Sequence, residues 1–117
     1  MRLIASDRAF PGWQWVAPEI LWGAKFTEAA DVYSYSMVAW EVLTHEVPFA
    51  GMNPVQIGVA VREQKLRPPL PDDCDPGFAE LLHACWHDAP EKRPSFVRVL
   101  GKIQALVALS SEADGFE

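Results

Sequence analysis

His83 and His87 stand four residues apart, the spacing that sets two imidazoles on one helix face, where a third ligand would complete a metal site. Neither belongs to a His-Glu-x-x-His string, and both fall off the apolar stripe of their segment, so a solvated helix face is the better reading. Cys74 and Cys85 form no C-x-x-C pair and are too sparse for a disulfide scaffold, which points to reduced thiols, with Cys85 in the core. Five Trp could stack on bases, and Ser6 could accept a phosphate. A net charge of −6 leaves no basic field to collect a phosphate backbone, which excludes nucleic acid as a partner. The tryptophans therefore read as core and Ser6 as an ordinary loop serine.

At 117 residues the chain builds at most one small domain around a single core. Half of it is hydrophobic, and each large side chain fully buried contributes roughly 1.5 to 3 kcal/mol, so much surface has to find cover. The start Met1-Arg2-Leu3-Ile4-Ala5 has the look of a signal peptide, but Asp7 and Arg8 end its apolar run too early. No apolar stretch approaches the roughly 18 residues of a membrane helix. No membrane partner and a cytoplasmic location are expected.

The chain reads as all-α: helices separated by proline-rich connections, without period-2 alternation and without internal repeats. Pro18 suits the first position of a short helix, with Glu19 complementing the positive helix start and Gly23 closing it. From Ala30 to Thr44 only Asp31 and Glu41 are charged, so this should be a central helix that needs cover on every side, with several large side chains left exposed where this chain supplies no neighbour. Asn53 and Pro54 cap a helix running to about Gln64. The segment Arg67-Pro68-Pro69-Leu70-Pro71 should run extended. Asp75 and Pro76 open an amphipathic helix with Phe78, Leu81, Leu82, Cys85 and Trp86 on one face. Pro94 and Ser95 open the last helix, with Phe96, Val99, Leu100, Ile103 and Val107 on one face. Residues 110–117 are expected to be a disordered tail.

Three strings occur in order: Trp15-Val16-Ala17-Pro18-Glu19, Asp31-Val32-Tyr33-Ser34-Tyr35, and the run from Trp86 to Phe96 that contains Arg93-Pro94. Together they resemble the C-terminal lobe of a protein kinase domain, most closely that of the tyrosine-kinase-like group of serine/threonine kinases. The resemblance covers residues 11–109 and assigns residues 1–10 to a partial activation segment. It implies a kinase-like C-lobe in which a central buried helix is surrounded by amphipathic helices. The catalytic strings of that family, a Gly-rich loop, a strand Lys, His-Arg-Asp and Asp-Phe-Gly, all precede Ala-Pro-Glu. None occurs here, and Ser6-Asp7-Arg8-Ala9-Phe10 has an Asp without the following Phe-Gly. No catalytic, cofactor-binding or metal residue is therefore expected in this chain, while ATP and Mg²⁺ are implied for a complete parent domain.

The resemblance also gives roles to individual residues. Glu19 should pair with Arg93 in a largely buried, two-bond ion pair. Asp31 matches a family Asp that accepts hydrogen bonds from the catalytic loop; without that loop, capping its own helix is the favoured role. Gly12, Trp13, Gln14 and Trp15 fall in the substrate-loop region, with Gly12 where a Thr that contacts the catalytic Asp usually stands. Ser36 takes a position that is usually Gly. The expected function is a fragment of a kinase domain whose parent, with the missing N-terminal part, transfers the ATP γ-phosphate to Ser or Thr of a protein substrate in signalling. The alternative is a non-catalytic, pseudokinase-like relic that binds a docking partner through the helix from Asn53 to Gln64. An unrelated helical interaction domain is the third reading.

Overall fold

The computed structural model describes residues 12–114, and side chains as far as residue 109. The activation-segment assignment at 1–10, with Ser6, lies outside the described residues, as does the end of the tail at 115–117. Among the described residues there are five α-helices and no strand: α1 Pro18–Leu21, α2 Glu28–Thr44, α3 Pro54–Glu63, α4 Pro76–Cys85 and α5 Phe96–Asp114. Short 3₁₀ turns at Trp13–Trp15 and Pro90–Lys92 precede α1 and α5.

Local chemistry sets most of the boundaries. Pro18 sits at the start of α1 as expected, and Gly23 takes φ +101° in the turn that follows. Thr27 caps α2 by accepting from the Ala30 amide at 3.3 Å, and His45 ends that helix in the left-handed conformation with φ 60°. Asn53 and Gln56 form a reciprocal capping box on α3, with bonds of 2.8 and 2.9 Å that satisfy two donors otherwise left open at a helix start. The Asp75 carboxylate accepts from the Gly77 and Phe78 amides and so opens α4. Ser95 accepts from the Arg98 amide at the start of α5, and Glu28, from the first turn of α2, accepts from the Phe96 amide.

The core forms around α2. Tyr33, Met37 and Trp40 join Trp13, Ile20, Leu21, Ile57, Val61, Leu82 and Trp86 in the larger cluster; Val32 joins Leu81, Cys85 and Val99 in the smaller. Trp40 also donates its indole N–H to the Pro69 carbonyl at 2.8 Å, which lays the proline-rich connection across α2. At Gly77 the side chain of Leu106 on α5 packs directly on the α4 backbone: a Cβ there would lie 2.7 Å from Cδ2 of Leu106. Cys85 is fully buried, as its apolar face predicts, and burial pushes its thiol up to about 11.

α2 is left open on one side, as expected for a central helix without the segments that would cover it: Val38 and Val42 remain 48% and 69% exposed, and the described neighbours pack on the opposite face. The structure departs from the sequence reading in two other helices. α5 turns a different face inward, with Val99 buried and Ile103 and Leu106 half-buried, while Leu100 and Val107 point outward. Its apolar residues are spread too widely for periodicity alone to choose one face. α5 also continues past Ser110 to Asp114, so the helical part of the expected tail is longer than its polar composition suggests. The stretch from Ser110 to Asp114 contains no Pro or Gly to break the helix, and Glu112 and Ala113 favour continuing it. In α4, the helix ends at Cys85 with Trp86 as its cap, so His83 and His87 do not share a helix face.

Candidate functional site

The densest polar arrangement among the described residues is built around two arginines and a tyrosine. Arg93 lies where the Pro90–Lys92 turn meets α5, and Glu19 lies in the first turn of α1. Their side chains meet through two parallel bonds of 2.9 Å, across 74 residues of sequence. The guanidinium also donates to the Ala29 carbonyl at 3.0 Å and to the His87 carbonyl at 2.8 Å. One buried cation thus ties α1, the start of α2 and the loop after α4 together. Its side chain is 0% exposed and that of Glu19 is 20% exposed, so the pair is largely withdrawn from water.

Tyr33, on α2, is the floor of this arrangement. The guanidinium of Arg93 lies 5.2 Å from its ring centroid and that of Arg67 lies 5.3 Å away. Arg67 is anchored by the Trp86 and Val61 carbonyls at 2.8 and 3.2 Å, with Asp88 3.7 Å from its outer nitrogen. The Tyr33 hydroxyl is buried and has no hydrogen-bond partner among the described residues. Desolvation raises its pKa from 10.0 to about 12, against the opposing pull of the two guanidinium charges. This arrangement has no exposed nucleophile and no acid–base pair aimed at a cleft. Its chemistry is to hold segments together.

A second tether fixes the Trp13–Trp15 turn. The Trp15 indole donates to a Glu41 carboxylate oxygen at 2.8 Å, and the Ser34 hydroxyl donates to the Trp15 carbonyl. Trp13 itself is buried in the main core. Within the expected substrate-loop stretch, this leaves Gly12, Gln14 and the outer part of Trp15 at the surface.

This bidentate pair joins the Ala-Pro-Glu string to the Arg-Pro string, and the matches to known proteins cover the same stretch. The sequence profile of the family described as protein tyrosine and serine/threonine kinase matches residues 5–103. The chain belongs to the protein kinase family. It is 42% identical over 92 residues to the serine/threonine/tyrosine-protein kinase HT1 of Arabidopsis thaliana, a match covering 79% of this chain and 24% of that protein. It is 37% identical over 95 residues to the serine/threonine-protein kinase STY17 of the same plant, covering 81% of this chain and 17% of that protein. Human mitogen-activated protein kinase kinase kinase 11 is 37% identical over 94 residues, covering 80% of this chain and 11% of that protein. The chain therefore spans a quarter or less of the length of these kinases.

The all-helical architecture fits the C-lobe portion of a kinase domain, and Glu19 and Arg93 meet as the family resemblance implies. Asp31 does not cap its helix: Thr27 does, and Asp31 is an exposed first-turn acid. The signal for this was present as a Thr followed by Glu28 just ahead of the apolar run, which is a helix-start pattern. Ser36 is fully buried and donates to the Tyr33 carbonyl, so a small polar residue is accommodated where the family usually has Gly. His83 is exposed and meets Trp86 edge-on, while His87 accepts from the Ala89 amide. Among the described residues no three His, Cys, Asp or Glu side chains cluster as a metal site, and no helix is long and apolar enough to cross a membrane. Sequence reasoning missed Arg67, whose role depends on contacts with the distant Tyr33 and Trp86.

Proposed function

We propose that the chain is the distal part of a kinase C-lobe, and that it serves as scaffold rather than as the reacting centre. The observation that carries this reading is the Glu19–Arg93 pair, a structural clamp joining two kinase strings across the core. The parent protein would transfer the γ-phosphate of ATP to Ser or Thr of a protein substrate in signalling. Phosphoryl transfer is mostly positioning and electrostatics: a strand Lys, a catalytic Asp and two metal-holding residues fix phosphates, Mg²⁺ and the attacking hydroxyl. The strings that hold ATP and Mg²⁺ in the family all precede Ala-Pro-Glu, so those groups are assigned to segments upstream of Ala17. The substrate stretch Gly12 to Trp15 would contribute the exposed edges of Gln14 and Trp15.

The purified chain, incubated with ATP, Mg²⁺ and a generic protein substrate, is expected to give no transfer above blank, and clear turnover would overturn the scaffold reading. In the transcript 5′ of Met1, in-frame His-Arg-Asp and Asp-Phe-Gly strings are expected. An in-frame stop immediately upstream would favour the non-catalytic binding module instead. The exposure of Val55 and Val59 on α3, beside a groove lined by Met52 and Gln56, supports that second reading and a docking role for α3.

A further inference from the structure

The end of α3 gathers cations on a chain whose net charge is −6: Arg62 lies in its last turn, and Lys65 and Arg67 follow directly. These side chains line two open hollows that share Asp88 as a wall. The first, of about 340 Å³, lies among Trp22, Glu19 and Arg62; the second, of about 390 Å³, lies among Lys65, Arg67 and Trp86. Neither shares a residue with the groove beside Met52 and Gln56.

The guanidinium carbon of Arg62 lies 4.7 Å from the centroid of the Trp22 ring. Stacking of this kind positions the cation while leaving its N–H donors free, since they point outward in the guanidinium plane. Among the described residues the exposed Arg62 side chain makes no ion pair and no hydrogen bond. The indole N–H of Trp22, which lines the same hollow, is buried and also has no partner there. Donors without acceptors therefore collect at one place.

The acids in the walls are already engaged. Glu19 gives both carboxylate oxygens to Arg93, and Asp88 is divided between Lys65 at 3.4 Å and Arg67 at 3.7 Å. One positive charge is thus left over beside each hollow: that of Arg62 in the first, and the excess of two cations over Asp88 in the second. A dianionic phosphate would have to crowd its charge against Glu19 and Asp88. Single carboxylates spaced along a peptide match one surplus charge per hollow, and the planar Arg62 fork suits a carboxylate.

We propose that this strip is a docking site for an acidic segment of a partner protein, with one carboxylate seated on Arg62 beside Trp22 and a second on Lys65. The site goes beyond the scaffold reading and does not depend on it.

Titration of the full 117-residue chain with acetylated, amidated hexaglutamate tests this, read by proton NMR at the Trp22 indole N–H, which Trp22→Phe identifies. A saturable shift of that resonance is expected. Arg62→Gln should weaken binding at least about tenfold at unchanged helix content by circular dichroism, and Arg62→Lys, which keeps the charge without the fork, should weaken it less. Lys65→Gln should weaken it as well, whereas Arg98→Gln, which removes an exposed cation of α5, should leave it intact. The same peptide with glutamine at every position should give no shift. A Trp22 resonance that does not respond, undiminished binding by the Arg62→Gln variant, an equal response to the glutamine peptide, or tighter binding of inorganic phosphate than of hexaglutamate would each overturn the proposal.

Discussion

The Arg93 guanidinium has five N–H donors, and the fold supplies Glu19, Ala29 and His87 as acceptors for three of its nitrogens. Burial makes this arrangement one-sided: an intact pair roughly offsets its desolvation, whereas a broken pair leaves an unpaired charge inside. Glu19→Ala or Arg93→Ala is therefore expected to lower unfolding free energy by roughly 3 to 5 kcal/mol in urea titration. A loss under about 1 kcal/mol, the value of an exposed pair, would show that the clamp is not buried in solution. Tyr33 gives a pH-dependent prediction. Its folded pKa of about 12 lies above the ordinary 10.0, so the stabilisation is complete below pH 10 and is lost as pH rises towards 12. Two pH units correspond to about 2 to 3 kcal/mol, and Cys85, raised from 9.0 to about 11, adds a loss of the same sign beginning at lower pH. Tyr33→Phe removes a buried hydroxyl with no partner, so it is expected to be neutral or stabilising at pH 7 and to flatten the alkaline fall. Urea midpoints at pH 7 and pH 11 check both halves.

Among the elements, α2 shows how a residue can be placed on the right helix yet given the wrong role. Asp31 is the acid nearest the expected helix start and its favoured cap on sequence grounds, but the helix begins at Glu28 and Thr27 does the capping. Thr27→Ala is expected to cost about 1 kcal/mol, because it removes the side-chain acceptor of the Ala30 amide and leaves only its bond to the Thr27 carbonyl at 3.1 Å. Asp31→Ala should cost only the weak dipole interaction of an exposed first-turn acid, about 0.3 to 1 kcal/mol. Thermal midpoints in which Asp31→Ala is the more damaging of the two would reverse the capping assignment. α3 and α4 needed no such correction, since Asn53 with Pro54 and Asp75 with Pro76 are local signals that work within one turn.

Among the described residues, the neighbours of the central helix cover one side of it and leave the other open. Val38 and Val42 on α2, and Val47 just beyond it, are 48%, 69% and 47% exposed, and exposed apolar surface of this kind calls for cover. The purified chain is expected to bind a hydrophobic dye such as ANS, with much of the signal removed by Val38→Ser and Val42→Ser. Unchanged fluorescence in that variant would locate the accessible apolar surface elsewhere.

The sequence by itself determined the family, the helical class and the places where helices begin with strong caps. These depend on residues close together in the chain: Ala17-Pro18-Glu19, Arg93-Pro94, the Asn53-Pro54 helix start and the apolar spacing in α4. The meeting of Glu19 with Arg93 was legible through the family resemblance, because no local rule reaches across 74 residues. Only the tertiary structure decided which side of α2 is covered, which face of α5 turns inward, and that Arg67 and Arg93 stack on Tyr33. The physical reason is the same each time. A helix with apolar residues around more than half its circumference can satisfy its period in several orientations, and the neighbours that choose among them come from distant parts of the chain.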